Sequence, residues 1–185
     1  MNFFKDIEHC LRVLRNGGII LYPTDTVWGI GCDASNNTAV SRIFQLKGRP
    51  DDKSFIILVK DHAMLSNYVE NAGAIFYDPT IPTTIIYPKA KNLASKATAA
   101  DGSVAIRIVQ DEFCQNLIAA FGAPIVSTSA NFHKSATPRI FDEISEEIKN
   151  GVDYVAKHRQ YDIEIKEPSR ILKLEQDGSF TVIRS

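Results

Sequence analysis

Apolar residues recur at helical spacing at the start of the chain. Phe3, Ile7, Cys10, Leu11 and Leu14 fall on one face, which predicts an amphipathic helix. Asn16-Gly17-Gly18 supplies its stop. "IILY" then reads as a buried strand. Asn36 and Asn37 can cap a second helix whose apolar face is Val40, Ile43, Phe44 and Leu46, ended by Gly48-Arg49-Pro50. "FIILV", residues 55–59, is a short unbroken apolar run, the pattern of a strand buried on both faces. "DHAMLSNYVENA" predicts a short helix. The prolines of "FYDPTIPTTIIYPKA" leave a loop around a strand at Thr83–Tyr87. "SVAIRIV", residues 103–109, is a further strand, and 111–121 a helix stopped by Gly122. "APIVSTSA" is a strand running into a polar turn, and "IFDEISEEIKNG" an acidic surface helix. "SRILKLEQDGSFTVIRS" reads as a hairpin turning at Asp177-Gly178. Helices and strands alternate, with antiparallel strands at the end, so an α/β domain with a mixed sheet is expected.

Composition narrows the function without naming it. A chain of 185 residues suits one compact domain, and no repeat or linker divides it. The formal net charge is -1, so no global basic field draws it to nucleic acid, and any polyanion site must be local. Cys10, Cys32 and Cys114 are far apart and lack CxxC spacing, which argues against a disulfide framework and a structural zinc. Reduced thiols, the lack of a long apolar leader and the lack of a membrane-length apolar run together place the protein in the cytoplasm, away from membranes. His9, His62, His133 and His158 have no metal-binding spacing. There is no GxxxxGK[ST], GxGxxG or GxSxG.

Three polar features stand out against this background. Arg107 lies inside an apolar strand, on one face with Ala105 and Val109. An unpaired arginine there is expensive. It either sits on an edge strand or in an internal ion pair, or it lies at the floor of a cleft and holds a carboxylate through parallel hydrogen bonds. Ser127, Ser129 and Asn131 alternate straight after an apolar strand. They either face a polar ligand together or satisfy their own turn. Lys47, Arg49 and Lys53 span only seven residues, with Gly48 and Pro50 fixing the turn. They either complement a helix C-terminus from solvent or surround a triphosphate.

Taken in order, "YPTDTVWGIG", "LKGRPDDKSFIILV", "SVAIRIV", "PIVSTSANFHKSATP" and "PSRILKLEQDGSFTVIRS" resemble the YrdC-like family, the threonylcarbamoyl-AMP synthases of tRNA modification. The resemblance spans essentially the whole chain and looks like the short form, one YrdC-like domain over residues 1–185. It implies a twisted open sheet of mixed parallel and antiparallel strands, with flanking helices around a concave cavity, the YrdC/DHBP synthase-like fold. It also implies a nucleotidyltransferase reaction. L-threonine, bicarbonate and ATP, with Mg2+ and no organic cofactor, give threonylcarbamoyl-AMP and pyrophosphate. Other tRNA-modifying proteins, and tRNA itself, are the implied downstream partners. By position, Thr26, Arg107, Ser127 and Ser169 match the threonine contacts. Lys47, Arg49 and Lys53 match the positions around the ATP phosphates, the first two as catalytic groups. Ser103, Ser129, Asn131, Thr137 and Arg184 match other ATP-side contacts.

The chain also departs from that pattern. Lys53-Ser54-Phe55 stands where many relatives have "KPL", and Leu58 where they have a histidine near the threonine. "FYDPTIPTT" replaces "WPGPxT", and the serine-glycine after Asn131 is absent. A different reading of the same fold, a non-catalytic RNA-binding or ribosome-associated module, would use Lys89, Lys91 and Lys96. No aromatic stacking platform accompanies them.

Overall fold

The computed structural model describes residues 3–50, 54–72 and 81–185. Helix α1 (Phe3–Arg15) buries Ile7, Cys10, Leu11 and Leu14, the stripe read from the sequence. It also buries Asp6, whose carboxylate accepts from Tyr154 Oη at 2.6 Å and from the His158 amide at 2.7 Å. The helix gives way to Gly17, whose φ of 71° is the left-handed conformation that ends helices cheaply. Helix α2 (Asn37–Lys47) starts at Asn36, whose side chain accepts from the Thr38 and Ala39 amides, and ends at Gly48 in the left-handed region. Helix α4 (Glu112–Phe121) is capped by Asp111 and stopped by Gly122. Helices α1 and α4 pack together, as do α2 and the short α5 (Glu146–Gly151).

The strands are β1 (Ile20–Tyr22), β2 (Gly29–Gly31), β3 (Ile56–Val59), β4 (Thr83–Tyr87), β5 (Val104–Ile108), β6 (Ile125–Ser129), β7 (Tyr154–Val155), β8 (Arg170–Leu174) and β9 (Phe180–Arg184). They form one sheet in the order β7-β1-β2-β6-β3-β5-β4-β8-β9. The pairs β1–β7, β3–β5 and β4–β8 are parallel and the other pairs antiparallel. This is the mixed sheet expected from the sequence. Ile57, Leu58 and Val59 are fully buried, in keeping with a strand covered on both faces. The C-terminal hairpin turns at Asp177-Gly178, where Asp177 Oδ1 accepts from the Ser179 amide at 2.9 Å and Gly178 takes a φ of 84°.

Some elements differ from the periodicity. The helix expected over 61–72 stops after α3 (His62–Leu65), because Val69 is drawn into an antiparallel bridge with Ala90. The acidic helix expected at 140–151 splits into a 3-10 turn at Phe141–Glu143 and α5. Ile144 lies between them in extended conformation and is 2% exposed, so one hydrophobe is sent into the core before Ser145 caps the next helix. Strands β2 and β7 carry too few residues for a period-2 signal, and neighbouring strands place them.

Candidate functional site

Register brings the polar exceptions together. In β5, Ala105 and Arg107 face a cavity of about 380 Å³, while Ile106 points to the opposite face. Arg107 is paired across the sheet with Leu58 of β3 and Thr84 of β4. Only 3% exposed, its guanidinium still lines the cavity. Nη2 donates to Asp25 Oδ1 at 2.9 Å and to Thr26 Oγ1 at 3.3 Å. Nε is buried with no hydrogen-bond partner among the described residues. The internal ion pair and the cleft floor, alternatives in the sequence, are therefore both present in one residue.

The "PTDT" turn fixes the hydroxyl that Arg107 meets. Thr24 Oγ1 accepts from the Thr26 amide at 3.0 Å and donates to the Val27 carbonyl at 2.8 Å. Its single proton is then committed, so in the 3.0 Å contact between the two hydroxyls Thr26 donates. A chain of hydrogen bonds runs from Arg107 through Thr26 and Thr24 to the backbone. The turn is rigid for a local reason, since threonine hydroxyls readily bond to nearby backbone.

Strand β6 contributes Ser127, Thr128 and Ser129 to the same cavity, while Asn131, the third of the alternating set, does not line it. Gly29 lies opposite Ser129, and a Cβ there would stand 2.8 Å from Ser127 Oγ. The hairpin contributes Ser169 and Arg184. Ser169 Oγ lies 2.8 Å from Thr84 Oγ1, and its carbonyl accepts from Arg184 Nε at 3.0 Å and Nη2 at 2.6 Å. Burial, and then the neighbouring Arg107, push the Arg184 guanidinium below the usual arginine range. Thr137 closes another side of the cavity.

The cations divide between two places. Arg49 lines the cavity, donates to the Ser54 carbonyl at 2.8 Å and stacks 4.8 Å from the centre of the Phe55 ring. Lys47 does not line it. Its ammonium sits behind Ser129, donating to the carbonyls of Ser129 and Asn131 at 2.5 Å and to Asn131 Oδ1 at 3.3 Å. At 3% exposure it is no solvated helix end, which removes that alternative for Lys47. Burial, and then repulsion from Arg49, bring it down to about 7. Asn131 is an organiser of this corner: Oδ1 accepts from Ser129 Oγ at 2.6 Å, and Nδ2 donates to the Ser135 carbonyl at 2.6 Å. Ser103 stands apart at the entrance to β5, its amide held by Asp101 Oδ1 at 2.9 Å, and does not line the cavity. Lys53 lies outside the described residues, as do residues 76–80 of the altered loop. Among the other departures, Ser54 and Phe55 line the cavity and Leu58 is fully buried beside Arg107.

Sequence reasoning passed over Asp25. Its signal was available, an acid inside a threonine turn upstream of a strand arginine. A second cavity of about 860 Å³ adjoins the first, sharing Pro168 and Arg184, and Asp25 and Arg170 line it. Among the described residues no group of three or more His, Cys, Asp or Glu is placed to hold a metal, and no helix is long and apolar enough to cross a membrane.

Comparisons with known proteins bear on the family and the fold. Threonylcarbamoyl-AMP synthase of Riesia pediculicola is 31% identical over 156 residues, covering 80% of this chain and 83% of that protein. The crystal structure of P. abyssi Sua5 complexed with L-threonine superposes with a TM-score of 0.77 at 25% identity, over 94% of this chain and 52% of that one. E. coli YciO gives a TM-score of 0.80 at 25% identity, over 98% of this chain and 89% of that one. Residues 12–185 match the family described as Telomere recombination, Sua5/YciO/YrdC, and the chain belongs to that family.

Proposed function

We propose that the chain is an L-threonylcarbamoyladenylate synthase, an enzyme that makes threonylcarbamoyl-AMP and pyrophosphate from L-threonine, bicarbonate and ATP. The observation that carries this reading is Arg107. It is a buried guanidinium bordering a cavity that Thr26, Ser127, Ser169 and Arg49 also line, and it donates to the Thr26 hydroxyl. That set suits an amino acid held by its carboxylate beside an anionic triphosphate. Relatives named threonylcarbamoyl-AMP synthase support the same assignment.

The chemistry asks mainly for charge management. The threonine amine adds to the carbon of bicarbonate, whose hydroxyl leaves with an amine proton as water, giving a carbamate anion. A carbamate oxygen attacks the α-phosphorus of ATP, the bond to the bridging oxygen breaks, and pyrophosphate leaves with the electron pair. Two anions must approach, at a cost of several kcal/mol in a low-dielectric cleft unless cations offset it. Arg49 on the wall and Lys47 behind Ser129 are assigned that role, with Arg184 at the hairpin side. Magnesium enters on the triphosphate as part of the substrate. Thr26, Ser127 and Ser169 orient threonine, and Ser129, Asn131 and Thr137 shape the nucleotide side, so positioning supplies much of the acceleration. Downstream, the product passes to proteins that transfer the threonylcarbamoyl group to tRNA. Cys10, Cys32 and Cys114 are free and buried, consistent with a cytoplasmic setting.

The assay is pyrophosphate release from protein, MgATP and bicarbonate, with and without L-threonine. Release that depends on threonine supports the reading, and release indifferent to it overturns it. No observation favours the RNA-binding alternative, and Lys89, one of its lysines, is paired with Glu70 at 2.8 Å.

A further inference from the structure

We propose that Asp25 is a positioning residue for amino-acid recognition: it locks one branch of the Arg107 guanidinium so that another donor is presented to the substrate carboxylate. The inference rests on the functional reading above and adds a residue to it.

The ion pair is sealed. The Arg107 and Asp25 side chains are 4% and 6% exposed. Asp25 Oδ1 takes Nη2 at 2.9 Å, and Thr26 Oγ1 takes the same nitrogen at 3.3 Å. Both Nη2 protons are therefore used within the protein. Nε is sealed and has no partner among the described residues. Nη1 makes no hydrogen bond among them either but is not sealed, and the guanidinium borders the smaller cavity, so Nη1 is the donor left open to an outside acceptor.

Asp25 is itself anchored. Its Oδ2 lies 3.4 Å from the Gln110 amide, just beyond β5, the strand that carries Arg107. Anchor and arginine thus move together. Asp25 also borders the larger cavity while Arg107 borders the smaller, so the ion pair is the partition between them. Its charge neutralises a guanidinium that would otherwise turn toward any nearby acceptor.

Two effects of removing that charge oppose each other. An uncompensated arginine would attract the substrate carboxylate more strongly. It would also lose its aim, and hydrogen bonds weaken steeply with misalignment. Loss of aim dominates here, because a displacement of about 1 Å at a positioned group costs on the order of 100-fold.

The test compares wild type with Asp25→Asn, which keeps an acceptor oxygen and removes the charge. Pyrophosphate release gives kcat and KM for threonine, and KM for ATP serves as the internal control. The expected result is a threonine KM raised about tenfold or more, with kcat and the ATP KM changed less than about threefold. A merely structural role would lower Tm without that split. Should Asp25→Asn not fold, Asp25→Glu, which keeps the charge and shifts it by one methylene, is read by the same ratio. A threonine KM within about twofold of wild type, a tighter one, or a parallel rise in the ATP KM overturns the role of Asp25. Absence of threonine-dependent release from wild type sinks the enzymatic reading instead. Calorimetric titration of L-threonine into both proteins then decides whether Asp25 governs binding, and equal affinities overturn it.

Discussion

Lys47 concentrates the tension of the site in a single side chain. A free lysine titrates near 10.4, and burial with Arg49 nearby lowers this one to about 7. The folded state therefore holds fewer protons than the unfolded chain between those values, and stability contributed by this group rises with pH across that window. The destabilising burial of the ammonium is fully present below it. Function runs the other way under the proposed role, since the charged form that would offset phosphate charge from behind Ser129 is lost as pH rises through about 7. We expect kcat/KM for ATP to fall between about pH 6 and pH 8.5, and Lys47→Met to be slower and flat over the same range. A wild-type profile without that limb would remove Lys47 from the phosphate site. Arg107→Ala tests the other pole. It should weaken threonine binding by about 2–4 kcal/mol, read by calorimetry. It should also lower fold stability by about 3–5 kcal/mol, because Asp25 is left buried and unpaired. Unchanged threonine affinity in a folded variant would retire the assignment.

At the scale of elements, glycine explains the strand that the sequence concealed. Strand β2 reads Gly29-Ile30-Gly31, with neither alternation nor β-branched density, yet it lies between β1 and β6. A Cβ on Gly31 would stand 2.6 Å from Tyr22 Cε1 and 2.6 Å from the Val126 carbonyl, so strand pairing here requires the absence of a side chain. Gly31→Ala should cost about 1–3 kcal/mol, seen as a lowered Tm, because a backbone oxygen cannot step aside. Gly29→Ala meets Ser127 Oγ at 2.8 Å, a hydroxyl that can rotate, so it should spare Tm and raise the threonine KM. Equal effects of both changes would contradict this division. Strands β5 and β6 were legible for the opposite reason. Arg107 is a polar exception inside an apolar run, and period-2 alternation sets it on one face with Ala105, whereas on β6 the polar run Ser127, Thr128 and Ser129 lines the cavity without alternation. The hairpin was legible from its Asp-Gly turn. What sequence could not supply was depth: that Lys47 folds back onto the Ser129 and Asn131 carbonyls, that Ser103 stays outside the cavity, and that Asp25 pairs with an arginine 82 residues away. Each of these follows from which strands become neighbours, which is settled by pairing across the whole sheet.

For the whole molecule, the sheet order matters more than any motif. Arg184 of β9 and Thr26 after β1 are far apart in the chain, and β1 and β9 lie toward opposite ends of the strand order, yet both residues line one cavity. Such a site depends on the last strand for function more than for folding. All residues of β9 are exposed and, among the described residues, it pairs only with β8, whereas the buried core belongs to the inner strands and helices. Arg184 nonetheless grips the Ser169 carbonyl through two nitrogens, and Ser169 reaches Thr84 beside Arg107. Ending the chain at Asp177 should therefore leave a cooperatively melting protein with near-native far-UV circular dichroism, and abolish threonine-dependent pyrophosphate release. Arg184→Ala in the full chain should reproduce most of that loss with little change in Tm, because Arg184 sits on an exposed strand and is held by hydrogen bonds to Ser169 rather than by core packing. Ligands report the same coupling from the opposite direction. Threonine at about 100 times its Kd should stabilise the full chain by about 2.7 kcal/mol, and the shortened chain by far less at the same concentration. A shortened chain that keeps both activity and the threonine-induced Tm shift would place the carboxylate site wholly on the inner strands, with β9 as no more than a cover.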